Sequence, residues 1–129
     1  MVCFDTDFLV TFLKEDEKAI GKLEELIEKG LGPGKTTVVN AVELYKGAYR
    51  STNTKEVERV KNLLGMFDML SLTHESAMLA GEIDAIAKSN PIGDSDVLIA
   101  AIVLASKEVL VTRNKKHFER VPGLQIEGW

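Results

Sequence analysis

Residues 97 to 105, VLIAAIVLA, contain no polar side chain. The run is about half the roughly 20 residues needed to span a bilayer. Its spacing instead predicts a helix that is capped by Asp94 or Ser95, runs to Ser106 and is apolar nearly all round, so it must lie in the middle of the structure. Ala100, Ala101 and Ala105 permit close packing by its neighbours. Five short apolar segments, partly β-branched, read as strands: Val2–Asp5, Thr36–Val39, Met69–Leu72, Val109–Thr112 and Leu124–Glu127. Helical patterns separate most of them: Asp7–Lys14, Asp16–Lys29, Ala41–Arg50 after Asn40, Thr54–Met66 and Glu75–Ser89. GLGPG at residues 30 to 34 is the strongest turn signal. Alternating strands and helices with buried short strands imply an α/β fold with a mainly parallel sheet. Sites in such sheets form at the carboxyl ends of the strands.

With 129 residues and no linker or repeat, the chain is expected to form a single domain spanning 1 to 129. One cysteine, Cys3, excludes an internal disulfide and fits a reducing cytoplasm; inside its apolar run it reads as a small core residue. Residues 1 to 13 carry no basic side chain, as a secretory signal would require, and no membrane association is expected. The formal charge of −4 argues against a protein that coats a duplex by electrostatics, yet leaves room for a nuclease whose acids bind metal.

The first strand stops at two acids, in VCFDTDFLV. Asp5 ends the strand, Glu43 follows the second strand, and Asp94 and Asp96 open the apolar helix. Thr112 and Asn114 end the fourth strand at the same edge. Carboxylates converging on one cleft raise one another's pKa, and hard divalent cations such as Mg²⁺ or Mn²⁺ relieve that repulsion. Structural roles compete with this reading. Asn40-Ala-Val-Glu43 resembles a capping box. Asp94 suits an N-cap, Asp96 suits a helix dipole, and Asp7 reads as the cap of the helix it precedes. Asp5 has no such ready alternative. His74, beside Glu75, reads as a capping neighbour.

FDTDFLV, VVNAVELYKGA and DSDVLIAAIVLASKEVLVTRNKKHFERVPGLQIEGW resemble, in order and over essentially the whole chain, the PIN-domain family. The likeness is strongest to VapC-type toxins of prokaryotic toxin–antitoxin pairs. It implies a three-layer α/β/α sandwich and a Mg²⁺- or Mn²⁺-dependent endoribonuclease. Such an enzyme hydrolyses a phosphodiester with metal-activated water, leaving a 5′-phosphate and a 3′-hydroxyl. By motif, Asp5, Glu43 and Asp96 carry the metal and the catalysis. Where many members have a further aspartate after Thr-Arg, this chain has Asn114, and where others have an acid before the phenylalanine it has His117. Asp94 is the nearby carboxylate available as a fourth metal ligand; otherwise the site works with three. Thr112 and Asn114 would orient water or phosphate, and Arg113, Lys115, Lys116 and Arg120 would grip the backbone. The resemblance also implies a small antitoxin partner and a homodimer. Tyr45, Tyr49, Leu63, Leu64 and Phe67 supply either its interface or core.

Three other readings stand beside this one. Asp5-x-Asp7 after an apolar strand also fits a haloacid dehalogenase-like phosphatase, with Asp5 as nucleophile and Asp7 as general acid. The positions of Leu9 and Val10, the missing strand-then-lysine motif and the short chain count against it. A receiver domain lacks its phosphorylatable aspartate at LSLT. Asn114 keeps open a PIN-fold binding module that has lost its chemistry.

Overall fold

The computed structural model describes Met1–Trp129. Its strands are β1 (Val2–Phe4), β2 (Lys35–Thr37), β3 (Asp68–Leu70), β4 (Val109–Val111) and β5 (Gln125–Glu127). Its helices are α1 (Thr6–Leu13), α2 (Glu17–Glu28), α3 (Val38–Arg50), α4 (Glu56–Leu64), α5 (His74–Ile86), α6 (Asp94–Ala105) and α7 (Lys115–Phe118). The sheet order is β3-β2-β1-β4-β5 and every pairing is parallel, so the fold is the expected α/β/α sandwich. β1 is central, with Cys3 opposite Lys35 on one side and Leu110 on the other.

Strand alternation divides the interior in two. Val2, Phe4 and Val111 face a core built with Phe8, Leu23, Leu44 and Leu63 from α1 to α4. Cys3 and Leu110 face a second core with Ile83, Val97, Ile99 and Phe118 from α5 to α7. The sheet is thus covered on both faces, as parallel sheets generally are. Helix α6 is buried at Val97, Ile99, Ala100, Ala101, Ile102 and Val103, which accounts for its lack of a polar face. No helix is long and apolar enough to cross a membrane. Leu63, Leu64 and Phe67 are core residues, Tyr45 packs on that core, and Tyr49 is 74% exposed.

Several local expectations need correction. The second strand ends at Thr37, and Thr37 caps α3 in a reciprocal box with Asn40, so Asn40 lies inside the helix and Glu43 is not its box partner. Asp5 caps α1, which leaves Asp7 exposed in the first turn and not a cap. Gly93, at φ 105°, holds the cap position of α6, with Asp94 as its first residue. Thr73 caps α5 immediately before His74. The third strand lies one or two residues earlier than expected, and α7 was not anticipated.

The turn before β2 brings Gly34 under β1 with φ +94°. A Cβ there would lie 2.6 Å from Phe4 Cε2, and Phe4 is stacked on Phe8 at 4.3 Å. Gly34→Ala is expected to lose roughly 2–5 kcal/mol, from left-handed backbone plus overpacking. Gly21→Ala, in α2 with open space around it, is expected to gain about 0.5–1 kcal/mol. Urea unfolding of both variants checks the contrast, and equal effects would contradict it.

Candidate active site

At the centre of the sheet the strand order reverses, β1 leading to β2 on one side while β4 pairs on the other. Crevices open at such switch points beyond the carboxyl ends of the strands. The residue there is Asp5, only 7% exposed. Its backbone N–H donates to the Val111 carbonyl, extending the β1–β4 ladder by one step. Its Oδ1 accepts from the Thr6 N–H at 2.8 Å and from Asn40 Nδ2 at 3.2 Å. Its Oδ2 accepts from the Thr112 hydroxyl at 2.8 Å. Thr112 Oγ1 in turn accepts from the Asn114 N–H at 3.0 Å, which fixes the hydroxyl's remaining proton on Asp5.

Asn40 is fully buried and bridges two functions. Its carbonyl oxygen accepts from the Thr37 N–H and hydroxyl, completing the cap of α3. Its amide donates to Asp5 and to Thr6 Oγ1, the latter at 2.9 Å. The Thr6 hydroxyl then donates to Glu43 Oε1 at 2.6 Å. The capping chemistry of α3 therefore sets the geometry of the acids. With Thr37 as cap, Asn40 and Glu43 fall three residues apart on one side of the helix, and both reach the end of β1.

Asp96, in the first turn of α6, is the third acid of this cleft. Its Oδ2 lies 3.5 Å from His117 Nε2, which also donates to the Ile92 carbonyl. Burial raises the pKa of Asp96, the charge of Asp5 raises it further, His117 opposes this, and Glu43 and Asp7 add to it. Burial likewise raises Asp5, the Thr112 and Thr6 hydrogen bonds hold it down, and Asp7 and Glu43 push it up. Asp5, Asp7, Glu43 and Asp96 thus share one field. Asp94 does not join them. Two helical positions turn the chain by about 200°, and Asp94 lines a shallow hollow with Ala80, Gly81 and Asp84 beside α5.

The cations expected at the site are placed differently from one another. Arg113 is exposed and stacked over the Trp129 ring at 3.8 Å. Lys115 and Lys116 are exposed on α7, and Arg120 donates to the Asn90 carbonyl. Beside the acids, a groove of about 310 Å³ between α1, α3 and α4 includes Glu43, Val10, Leu13, Leu44, Arg59 and Val60 in its walls.

The carboxylates suit a hard divalent cation: they cluster, are oriented by hydroxyl and amide N–H donors, and have no lysine or arginine paired with them. No three His, Cys, Asp or Glu side chains stand close enough to enclose one ion by themselves.

Comparison with known proteins agrees with the geometry. The PIN domain family model matches residues 2–124. The chain belongs to the PIN-domain family. A tRNA(fMet)-specific endonuclease VapC from Salmonella typhimurium is 31% identical over 70% of this chain and 71% of its own length. Ribonuclease VapC1 of Haemophilus influenzae strain R2866 is 27% identical over 97% of this chain and 95% of its own. The structure of VapBC-1 from nontypeable Haemophilus influenzae superposes with TM-score 0.87, at 26% identity, covering 100% of this chain and 98% of that one. The chain is thus a VapC-type PIN-domain protein, and the phosphatase and receiver readings fall. Sequence reading named Asp5, Glu43, Asp96 and Thr112 but missed Thr6 and Asn40. The spacing Thr37-x-x-Asn40 was the available signal for the α3 cap.

An aspartate with a folded-state pKa above its unfolded value holds its proton more tightly when folded. Its contribution to stability is therefore lost as pH rises through that range. Asp96→Asn removes this penalty, so in metal-free buffer at pH 7 it is expected to melt above the parent chain. The gap should close as pH falls through the range where Asp96 protonates. Thermal melts across pH check this, and a variant that melts lower at pH 7 would contradict it.

Proposed function

We propose that this protein is a divalent-metal-dependent endoribonuclease, the toxin of a toxin–antitoxin pair, with Asp5, Glu43 and Asp96 as its catalytic acids. The observation that carries the reading is their convergence at the sheet's switch point, in a shared like-charge field with no lysine or arginine paired against it and only His117 opposing it. The ribonuclease names of the VapC relatives support the substrate class.

Asp5, Glu43 and Asp96 would share Mg²⁺ or Mn²⁺, directly or through the waters that such hard ions keep. When bound, such an ion neutralises charge developing on a phosphodiester and makes water acidic enough to be a nucleophile. The chain's own residues do the positioning. Thr112 and Asn40 fix both oxygens of Asp5, and Thr6 fixes one oxygen of Glu43, so the carboxylates need little rearrangement on binding. Preorganisation of this kind is what lets fixed charges act at the reacting centre. Arg113 and Lys115 supply phosphate contacts, and Asn114 sits at the same edge as an orienting amide. Hydrolysis by water leaves a 5′-phosphate and a 3′-hydroxyl and makes no use of the 2′-hydroxyl.

The groove that shares Glu43 with the cleft gives an antitoxin segment an apolar seat against the acids. On α3, Val42 and Tyr49 lie seven residues apart on one face and are 54% and 74% exposed, a surface for a second copy. A PIN-fold binding module without chemistry would keep these surfaces and lose cleavage.

Purified chain is expected to cut a structured RNA pool in Mg²⁺ or Mn²⁺ and not in EDTA. Asp5→Asn and Asp96→Asn should each lose more than about a hundredfold, beyond the usual cost of removing an outer-shell group. Cutting that survives both substitutions would overturn the site, and metal binding without cutting of any RNA would favour the binding module.

A further inference from the structure

Trp129 is the chain's only tryptophan, and its position is unusual in two respects. Its ring meets Phe8 edge-on at 5.1 Å, while the Arg113 guanidinium carbon lies 3.8 Å from its centroid on a face. Its indole N–H is buried without an acceptor, although buried indoles ordinarily find one. The ring is therefore placed by stacking. Its segment is anchored on both sides: Lys22 pairs with Glu127 at 2.5 Å, and the Lys115 methylenes lie across Gly128, where an added Cβ would meet Lys115 Cδ at 3.2 Å.

Arg113 is equally particular. It follows Thr112, whose hydroxyl is 2.8 Å from Asp5, so its backbone stands at the edge of the acidic cleft. Arg59 donates to Glu56 and to the Leu13 carbonyl, and Arg120 to the Asn90 carbonyl, whereas Arg113, like the exposed Arg50, makes no side-chain hydrogen bond or ion pair within the chain, and of these two only Arg113 is stacked on an aromatic ring. A guanidinium carried on this backbone would gain by folding onto the acids. Stacking on the indole holds it away. Stacking uses the face of the guanidinium and leaves its N–H edge free, in the planar fork that matches a phosphate.

We infer that Trp129 is a positioning residue for the nuclease: it holds Arg113 at the rim of the acidic cleft, with its donor edge presented to the RNA backbone. This assignment rests on the ribonuclease reading. Trp129 serves two ends at once, keeping a cation from neutralising the acids and keeping that cation ordered for the substrate. Phe8, on which it packs, is three residues after Asp5, so the clamp and the acids are built on the same turn of α1.

Trp129 is also its own reporter. In EDTA, titrating the full chain with a single-stranded RNA is expected to change Trp129 emission in the parent. In Arg113→Ala the titration, followed by anisotropy of a labelled RNA, should need about tenfold more RNA, as loss of a charged phosphate contact implies. Its salt dependence should weaken by about 0.7 in log–log slope. Trp129→Phe keeps an apolar ring on Phe8 and weakens the cation–π contact, so binding should fall about two- to fivefold. The double variant should match Arg113→Ala alone, because Trp129 acts only through Arg113. In Mg²⁺ the losses should appear in KM, with kcat within about twofold. Arg113 is exposed, so its variant tests the assignment even if Trp129→Phe folds poorly. A Trp129→Phe or Arg113→Ala chain that binds as the parent does, or additive losses in the double variant, would overturn the assignment. So would a parent that cuts RNA in Mg²⁺ with no emission change on RNA, and that result would leave the nuclease reading standing. A parent that neither binds nor cuts RNA overturns both.

Discussion

A single buried carboxylate, that of Asp5, ties the architecture to the chemistry. Removing an ion from water costs several kcal/mol even after relaxation, and a hydrogen bond to a charged group returns only about 1.5–3 kcal/mol. Asp5 is tolerable because three donors from three places meet on it: the start of α1, α3 through Asn40, and the end of β4 through Thr112. Those donors can converge only if β1 lies between β2 and β4 in a parallel sheet. Topology and site therefore depend on one another.

The second constraint is like charge. Asp7, Glu43 and Asp96 share the field of Asp5, and the chain supplies only His117 against it. A fold selected for stability alone would place a lysine or arginine there, as it does around Glu108, where Lys35 and the Met1 amino group both pair with the carboxylate. Arg113, next to Thr112 at the end of β4, is instead stacked on an indole. Stability is given up locally where the acids are needed free, a common relation between active sites and their scaffolds.

Much of this was legible from the sequence. The polar-free run in α6 required burial on every side, and short β-branched segments between helices required a parallel sheet. Asp5 stood out because strands rarely end on an acid without a partner. Boundaries were harder. Val38 and Val39 read as strand because β-branched residues favour it, but the Thr37–Asn40 cap takes them into α3 and thereby turns Asn40 toward Asp5. Motif singled out Asp96 and left Asp94 as a nearby fourth carboxylate; the helix sends the two to different surfaces. The role of Trp129 was not legible, since its contacts with Phe8 and Arg113 join residues far apart in the chain.

The most direct test of the central claim is the end chemistry of the RNA products formed in Mg²⁺, including products from a substrate with one 2′-deoxynucleotide at the cleavage position. Water attack at the acidic cleft leaves 5′-phosphate and 3′-hydroxyl ends and tolerates the deoxy position. Cyclic 2′,3′-phosphates with 5′-hydroxyl ends, and no cleavage at the deoxy position, would place the nucleophile on the RNA itself and contradict the account.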